Sequence, residues 1–258
     1  MIGTSKQRDP TLPIRHQVGK LEDSLIREIA HEGMKDPDII PLWFGEPDLP
    51  TPNFIISAAN QALQDGHTFY APNLGIPELR ETLSTYMSEL YERQINVDRL
   101  AVTSAAMNGM MIIAETLIDP GDNIVAVTPV WPNFLRCVEI MSGEIRMVPL
   151  SADTSGWKLD LDQLFDACNN ETRAIYITSP NNPTGWVMAR KQQRAVLDFC
   201  REKGLWIISD EVYSRIIYDQ SLARWSGALG RGDRHGNIRY GWFCHHDHPQ
   251  GGQWAGNC

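Results

Sequence analysis

The chain of 258 residues has no basic excess, no long apolar run, no paired cysteines and no lysine beyond Lys203. With 23 Lys and Arg against 32 Asp and Glu, its net charge of -9 argues against a phosphate-backbone binder, which would carry a basic stripe. No nucleic-acid partner is expected. No stretch approaches the roughly 18 apolar residues of a membrane helix, and the polar residues from Met1 to Gln17 hold no signal-peptide core. No membrane partner is expected either. The five cysteines (Cys137, Cys168, Cys200, Cys244, Cys258) are scattered and odd in number, which favours reduced thiols in a cytoplasmic compartment over a disulfide framework. All six lysines (Lys6, Lys20, Lys35, Lys158, Lys191, Lys203) stand in the first four-fifths, so the remainder offers no side-chain amine. A hydrophobic share of 42% beside 21% charged residues describes an ordinary globular protein.

Periodicity supplies the organisation. Leu21, Leu25 and Ile29 share one helical face within an otherwise polar arm, residues 1–40. Pro77 opens an amphipathic helix on which Leu79, Leu83, Tyr86 and Leu90 recur at helical spacing. Ala105 to Ile118 reads as a helix apolar all round, and therefore buried. After the turn signal Asp119-Pro120-Gly121-Asp122 comes Asn123 to Val127, a short apolar run suited to a strand covered on both faces. Leu161 to Cys168 reads as helix, Ala174 to Ile177 as strand, Ala189 to Lys203 as helix with Gly204 as its stop, and Leu205 to Ile208 as strand. Such alternation predicts an α/β fold, a three-layer α/β/α sandwich on a mostly parallel sheet, with ligands beyond the carboxyl ends of the strands.

Two loops fall at those ends: Ser179-Pro180-Asn181-Asn182-Pro183-Thr184-Gly185 and Asp210-Glu211-Val212-Tyr213. The first has ideal turn composition and by itself says little more. Followed by Asp-x-x-Tyr after the next strand, it matches the needs of a pyridine cofactor. Asp210 is the candidate carboxylate for a protonated ring nitrogen, and Asn182 and Tyr213 are candidate donors to the phenolic oxygen. Thr103 to Met107, ahead of a helix, is a candidate phosphate site, although Ser or Thr there is also an ordinary cap. Trp131 follows a strand and reads either as a stacking platform or as core. Tyr70 is a loop anchor or a phosphate ligand.

Taken with Gly45-Glu46-Pro47-Asp48, Tyr70-x-Pro-x-x-Gly75 and Pro129-x-Trp131, these landmarks resemble, in order and separation, the class I/II aminotransferases of pyridoxal-phosphate (PLP) fold type I. The resemblance covers about residues 40–220. It implies a PLP-binding large domain over residues 41–222, incomplete at its C-terminal end, and amino transfer between an amino acid and a 2-oxo acid. It further implies a homodimer in which Tyr70 reaches the phosphate of the neighbouring subunit. Ala106 and Met107 would give phosphate-binding amides, Trp131 would stack, Asn182, Asp210 and Tyr213 would hold the ring, and Gly45 would touch the substrate carboxylate. Ala105 stands where the family commonly has glycine.

The family next supplies a Ser-x-x-Lys strand and a smaller C-terminal domain, and neither is found after Tyr213. Without the Schiff-base lysine, impaired transfer is expected; Lys191 and Lys203 read as solvated helix lysines. Residues 223–258 are expected to form an aberrant, disordered tail: from Ser226 on there are eight glycines, four histidines and no periodicity. A reading-frame change near Leu222–Ser226 is one account of it. The cluster Cys244-His245-His246-Asp247-His248 lacks the paired spacing of a structural zinc site, and no metal is expected. Two other readings stand beside amino transfer: an inactive PLP-binding fragment or regulator, and carbon–sulfur lyase or cyclopropane-synthase-type PLP chemistry.

Overall fold

The protein is described by a computed structural model over residues 14–45, 49–218 and 237–240. Its contacts divide into two compact units, Met1–Phe69 and Tyr70–Cys258.

In the first unit lie α1 (His16–Gly19), α2 (Leu25–Gly33) and α3 (Asn53–Gln64). The apolar stripe of α2 does not become a buried face: Leu25 and Ile29 are exposed, and Ala30 and Gly33 are buried instead. The reason is a close approach. A Cβ at Gly33 would stand 2.3 Å from Cζ3 of Trp43, so the small-residue side of the helix takes the contact.

The second unit begins with α4 (Pro77–Leu90), opened by its proline as expected. In the turn before it, Gly75 has φ +98°, and a Cβ there would meet Cβ of Val102 at 2.8 Å, so both conformation and space require glycine. Then come α5 (Ala106–Leu117), β1 (Asn123–Thr128), α6 (Asn133–Ile140), β2 (Glu144–Pro149), a small hairpin of β3 (Ser151–Asp153) and β4 (Gly156–Lys158), α7 (Leu161–Asp166), β5 (Thr172–Thr178), α8 (Arg190–Lys203), β6 (Trp206–Asp210) and β7 (Asn237–Tyr240). The main sheet runs β2-β1-β5-β6-β7, every pairing parallel. Within residues 223–258, where no element is legible in the sequence, β7 is thus a four-residue strand beside β6. The Cys244–His248 cluster lies outside the described residues, as do Glu46, Pro47 and Asp48.

Alternation along the strands makes two cores, one on each face. Val125, Val127, Ile175, Ile177 and Ile207 pack with Leu164 of α7 and Val196 and Leu197 of α8. Ile124, Ala126, Ala174, Tyr176 and Ile208 pack with Met110 and Ala114 of α5 and Phe134 and Val138 of α6. This is the predicted α/β/α sandwich. Helix α5 departs from its expected full burial. Only Met110 and Ala114 are buried, and Ile112 faces outward, because a helix laid on a sheet buries one stripe. Helix α8 ends where expected, at Gly204 in the left-handed conformation. Among the described residues no helix is long and apolar enough to cross a membrane.

Candidate functional site

The carboxyl ends of β1, β5 and β6 carry the loops singled out by sequence. Asp210 is the last residue of β6 and only 4% exposed. Its Oδ1 accepts from the backbone N–H of Val212 at 3.1 Å, which turns the chain away from the strand, and its Oδ2 accepts from the hydroxyl of Tyr176 at 3.4 Å. Thr178, the last residue of β5, is its cross-strand partner. Beyond these ends Nδ2 of Asn182 meets Oη of Tyr213 at 3.5 Å, so the two predicted ring-oxygen donors converge from adjacent strands.

The loop bearing Asn182 is organised by its neighbour. Asn181, 4% exposed, accepts through Oδ1 from the N–H and Oγ1 of Thr184 (3.1 and 2.7 Å) and through its carbonyl from Gly185 N–H (2.8 Å). Its Nδ2 donates to the carbonyl of Pro129 at 3.2 Å, which ties the β5 loop to the β1 loop carrying the half-buried Trp131. The β6 loop is fastened from behind. The buried Glu211 accepts from Oη of Tyr91, just past the end of α4, and from Oγ of Ser209 at 3.2 Å. Asn181, Tyr176 and Glu211 were not singled out in the sequence. The doubled asparagine and the Asp-Glu pair were the available signals; a tyrosine inside an apolar strand gave none.

At the start of α5 the capping alternative fails. Ala105, the N-cap, is extended (φ -154°, ψ 154°) and no side chain caps the helix. Thr103 Oγ1 donates to the Ala105 carbonyl at 2.7 Å, and Ser104 Oγ donates to Oδ1 of Asn108 at 2.8 Å. The amides of Ala106 and Met107 therefore open a helix without a side-chain cap, the arrangement in which backbone N–H groups and the helix dipole receive an anion. Helix α5 lies on the same face of the sheet as Tyr176 and Ile208, hence of Asp210 two residues on. Tyr70 is fully exposed. Gly45 belongs to the first unit.

The family model for aminotransferase class I and II matches residues 37–236, well over half of the chain. The chain belongs to that family. It is 36% identical over 200 residues to a probable aspartate aminotransferase of Methanocaldococcus jannaschii, covering 78% of this chain and 52% of that protein. It is 32% identical to an aspartate aminotransferase of Pyrococcus horikoshii, covering 81% and 53%. Among solved structures it is similar to an aspartate aminotransferase of Thermotoga maritima, with a TM-score of 0.82 and 27% identity over 89% of this chain and 62% of that one. The chain thus spans about half the length of the curated relatives it matches.

PLP is the cofactor of this family, and the residues present fit it. A buried carboxylate at a strand end suits a protonated pyridine nitrogen, an amide and a phenol side by side suit a phenolate oxygen, and an uncapped helix start suits a phosphate. Among the described residues no group of acidic, histidine and cysteine side chains could hold a metal ion.

Proposed function

We propose that the carboxyl ends of β1, β5 and β6 form the PLP cradle of an enzyme that moves an amino group between an amino acid and a 2-oxo acid. The observation that carries this reading is the convergence of Asn182 and Tyr213 at 3.5 Å beside the buried Asp210. Bound PLP supplies an electron sink for the carbon that bears the substrate nitrogen. Asp210 holds the ring-nitrogen proton in place through a charge-assisted hydrogen bond, and burial strengthens that bond by excluding water. Asn182 and Tyr213 donate to the phenolic oxygen, the amides of Ala106 and Met107 receive the phosphate, and Trp131 covers one ring face. Gly45 is assigned to the substrate carboxylate. Tyr70, fully exposed on its own chain, is assigned to the phosphate site of a second copy, and the working form to a homodimer. Scattered cysteines without partner spacing support a cytoplasmic setting.

Within these 258 residues no lysine follows Tyr213, so this stretch by itself is expected to hold the ring without a covalent anchor and to give no transfer or very slow transfer. Absorbance and fluorescence titration with PLP tests both parts. Saturable binding that dialysis reverses, that borohydride does not trap and that gives no transfer is the expected result. Absence of saturable binding would end the cradle reading. Borohydride trapping with normal turnover would end the impairment reading.

A further inference from the structure

The electrostatics of the ring-nitrogen site are set one layer deeper than Asp210. Tyr176, in the middle of β5, is 0% exposed and Thr178 is 1% exposed. Two residues apart on one strand, they point to the same face, the one on which Asp210 ends the neighbouring strand. The three make a buried relay. Thr178 Oγ1 donates to Oη of Tyr176 at 3.3 Å, and that hydroxyl donates to Oδ2 of Asp210 at 3.4 Å. The ring is fixed by packing, since Phe134 of α6 lies against it with centroids 4.8 Å apart. Its neighbours on this face, Ile124, Ala126, Ala174 and Ile208, are all aliphatic. A phenol placed among them needs partners for its hydroxyl, and one that it has is the carboxylate of the candidate site.

We infer that Tyr176 is a positioning residue for Asp210. Its hydroxyl, oriented by Thr178, holds Oδ2 so that the carboxylate faces a protonated pyridine nitrogen. This rests on the cradle reading above and deepens it. The carboxylate has about four acceptor positions. Val212 N–H takes one on Oδ1 and Tyr176 one on Oδ2, so that both oxygens are held and the plane of the group is fixed. Each O···O separation is long for a hydroxyl bond, as is common where a site tightens only around its ligand. A donor to the ionised carboxylate favours its charged form, the form a pyridinium requires.

The test compares PLP with its carbon analogue, in which C–H replaces the ring nitrogen, by fluorescence titration of the whole chain. The wild-type chain is expected to favour PLP by about tenfold or more, because only PLP carries a ring N–H to donate to the Asp210 carboxylate. In Tyr176→Phe the preference should shrink about three- to tenfold, while affinity for the analogue stays within about twofold. Thr178→Val should shrink it about twofold, and it decides the matter if Tyr176→Phe fails to fold. A role confined to packing would weaken both ligands equally. Equal weakening, or an undiminished preference, overturns the inference and leaves the cradle reading intact. A wild-type chain that binds neither ligand, or does not distinguish them, overturns the ring-nitrogen assignment of Asp210 itself, and this inference with it.

Discussion

The two ends of the same sheet are built differently. At the amino ends of β1 and β5, polar groups close on one another. Asp122 pairs with Arg173 at 2.7 Å, Asn123 donates to Oδ1 of Asn169 at 2.8 Å, and Thr172 Oγ1 donates to Oδ1 of Asn123 at 2.7 Å. At the carboxyl ends the contacts orient the groups that the loops carry. Val212 and Tyr176 steer Asp210, Asn181 steers the loop of Asn182, and α5 begins without a side-chain cap. One end holds strands together; the other, on the reading proposed above, receives a ligand. Substitutions should therefore sort by end: stability at the first, ligand affinity at the second.

The largest effect belongs to Asp210→Asn. Loss of a charge-assisted bond costs roughly 1.5–3 kcal/mol, so PLP affinity should fall about 10- to 150-fold by titration. Thermal unfolding of the chain without PLP should change little. A variant that unfolds instead of losing affinity would place Asp210 with the structural end. Asn123→Ala is the converse. It removes the bonds from Asn123 to Thr172 and Asn169, which keep their own bond at 3.0 Å, and so costs about 1 kcal/mol in denaturant unfolding. PLP affinity should be unchanged, and a matching loss of affinity would erase the contrast.

How much of this contrast was legible in the sequence follows from what periodicity encodes. Strands β1, β5 and β6 were readable because they are apolar on both faces, and only the three-layer arrangement buries such runs. Strand β2 was not readable. As an edge strand it is irregularly covered, with only Val148 buried, and charged Glu144 and Arg146 mask its pattern. Helix α6 was hidden behind Pro129-x-Trp131-Pro132, a stretch that punctuates rather than propagates. In the site, Asn182, Asp210 and Tyr213 were found because a turn and an Asp-x-x-Tyr after consecutive strands mark their position. The groups behind them were not, since Tyr176 has the same strand propensity whether it fills a core or holds a carboxylate. Of the stripe read from Leu21, Leu25 and Ile29, only Leu25 and Ile29 lie on α2 and both are exposed, because what covers a stripe is tertiary information.

A smaller effect separates the ends by pH. The Arg173 guanidinium holds Asp122 below its ordinary value of 3.8, chiefly through their hydrogen bond. A carboxyl whose folded-state value is lowered contributes stability above its ordinary value and loses it as pH falls through the lowered one. The wild-type chain should therefore lose stability below about pH 4, and Arg173→Met should flatten that limb at little cost near neutrality, since Arg173 is half exposed. An unchanged acid limb in Arg173→Met would remove this pair from the account. Buried thiols should be silent over the same range: burial raises Cys168 to about 11 and pushes Cys200 higher still, so alkylation near pH 8 should be slow in the folded chain.

The smallest effect tests the start of α5. Helix α7 has a true side-chain cap, Asp160, whose Oδ1 accepts from the N–H groups of Asp162 at 2.9 Å and Gln163 at 3.1 Å. Asp160→Ala should cost about 1 kcal/mol. Ser104 stands one residue before the N-cap of α5 and spends its hydroxyl on the exposed side chain of Asn108, so Ser104→Ala should cost less than about 0.5 kcal/mol. The inequality matters more than either value. If the two substitutions cost the same, Ser104 is already using the first-turn amides of α5, and Ala106 and Met107 have no N–H groups to offer a phosphate. If Ser104→Ala is neutral, those amides are left to water or a ligand. Inorganic phosphate should then weaken PLP binding competitively, and by a similar factor in the variant and the wild-type chain.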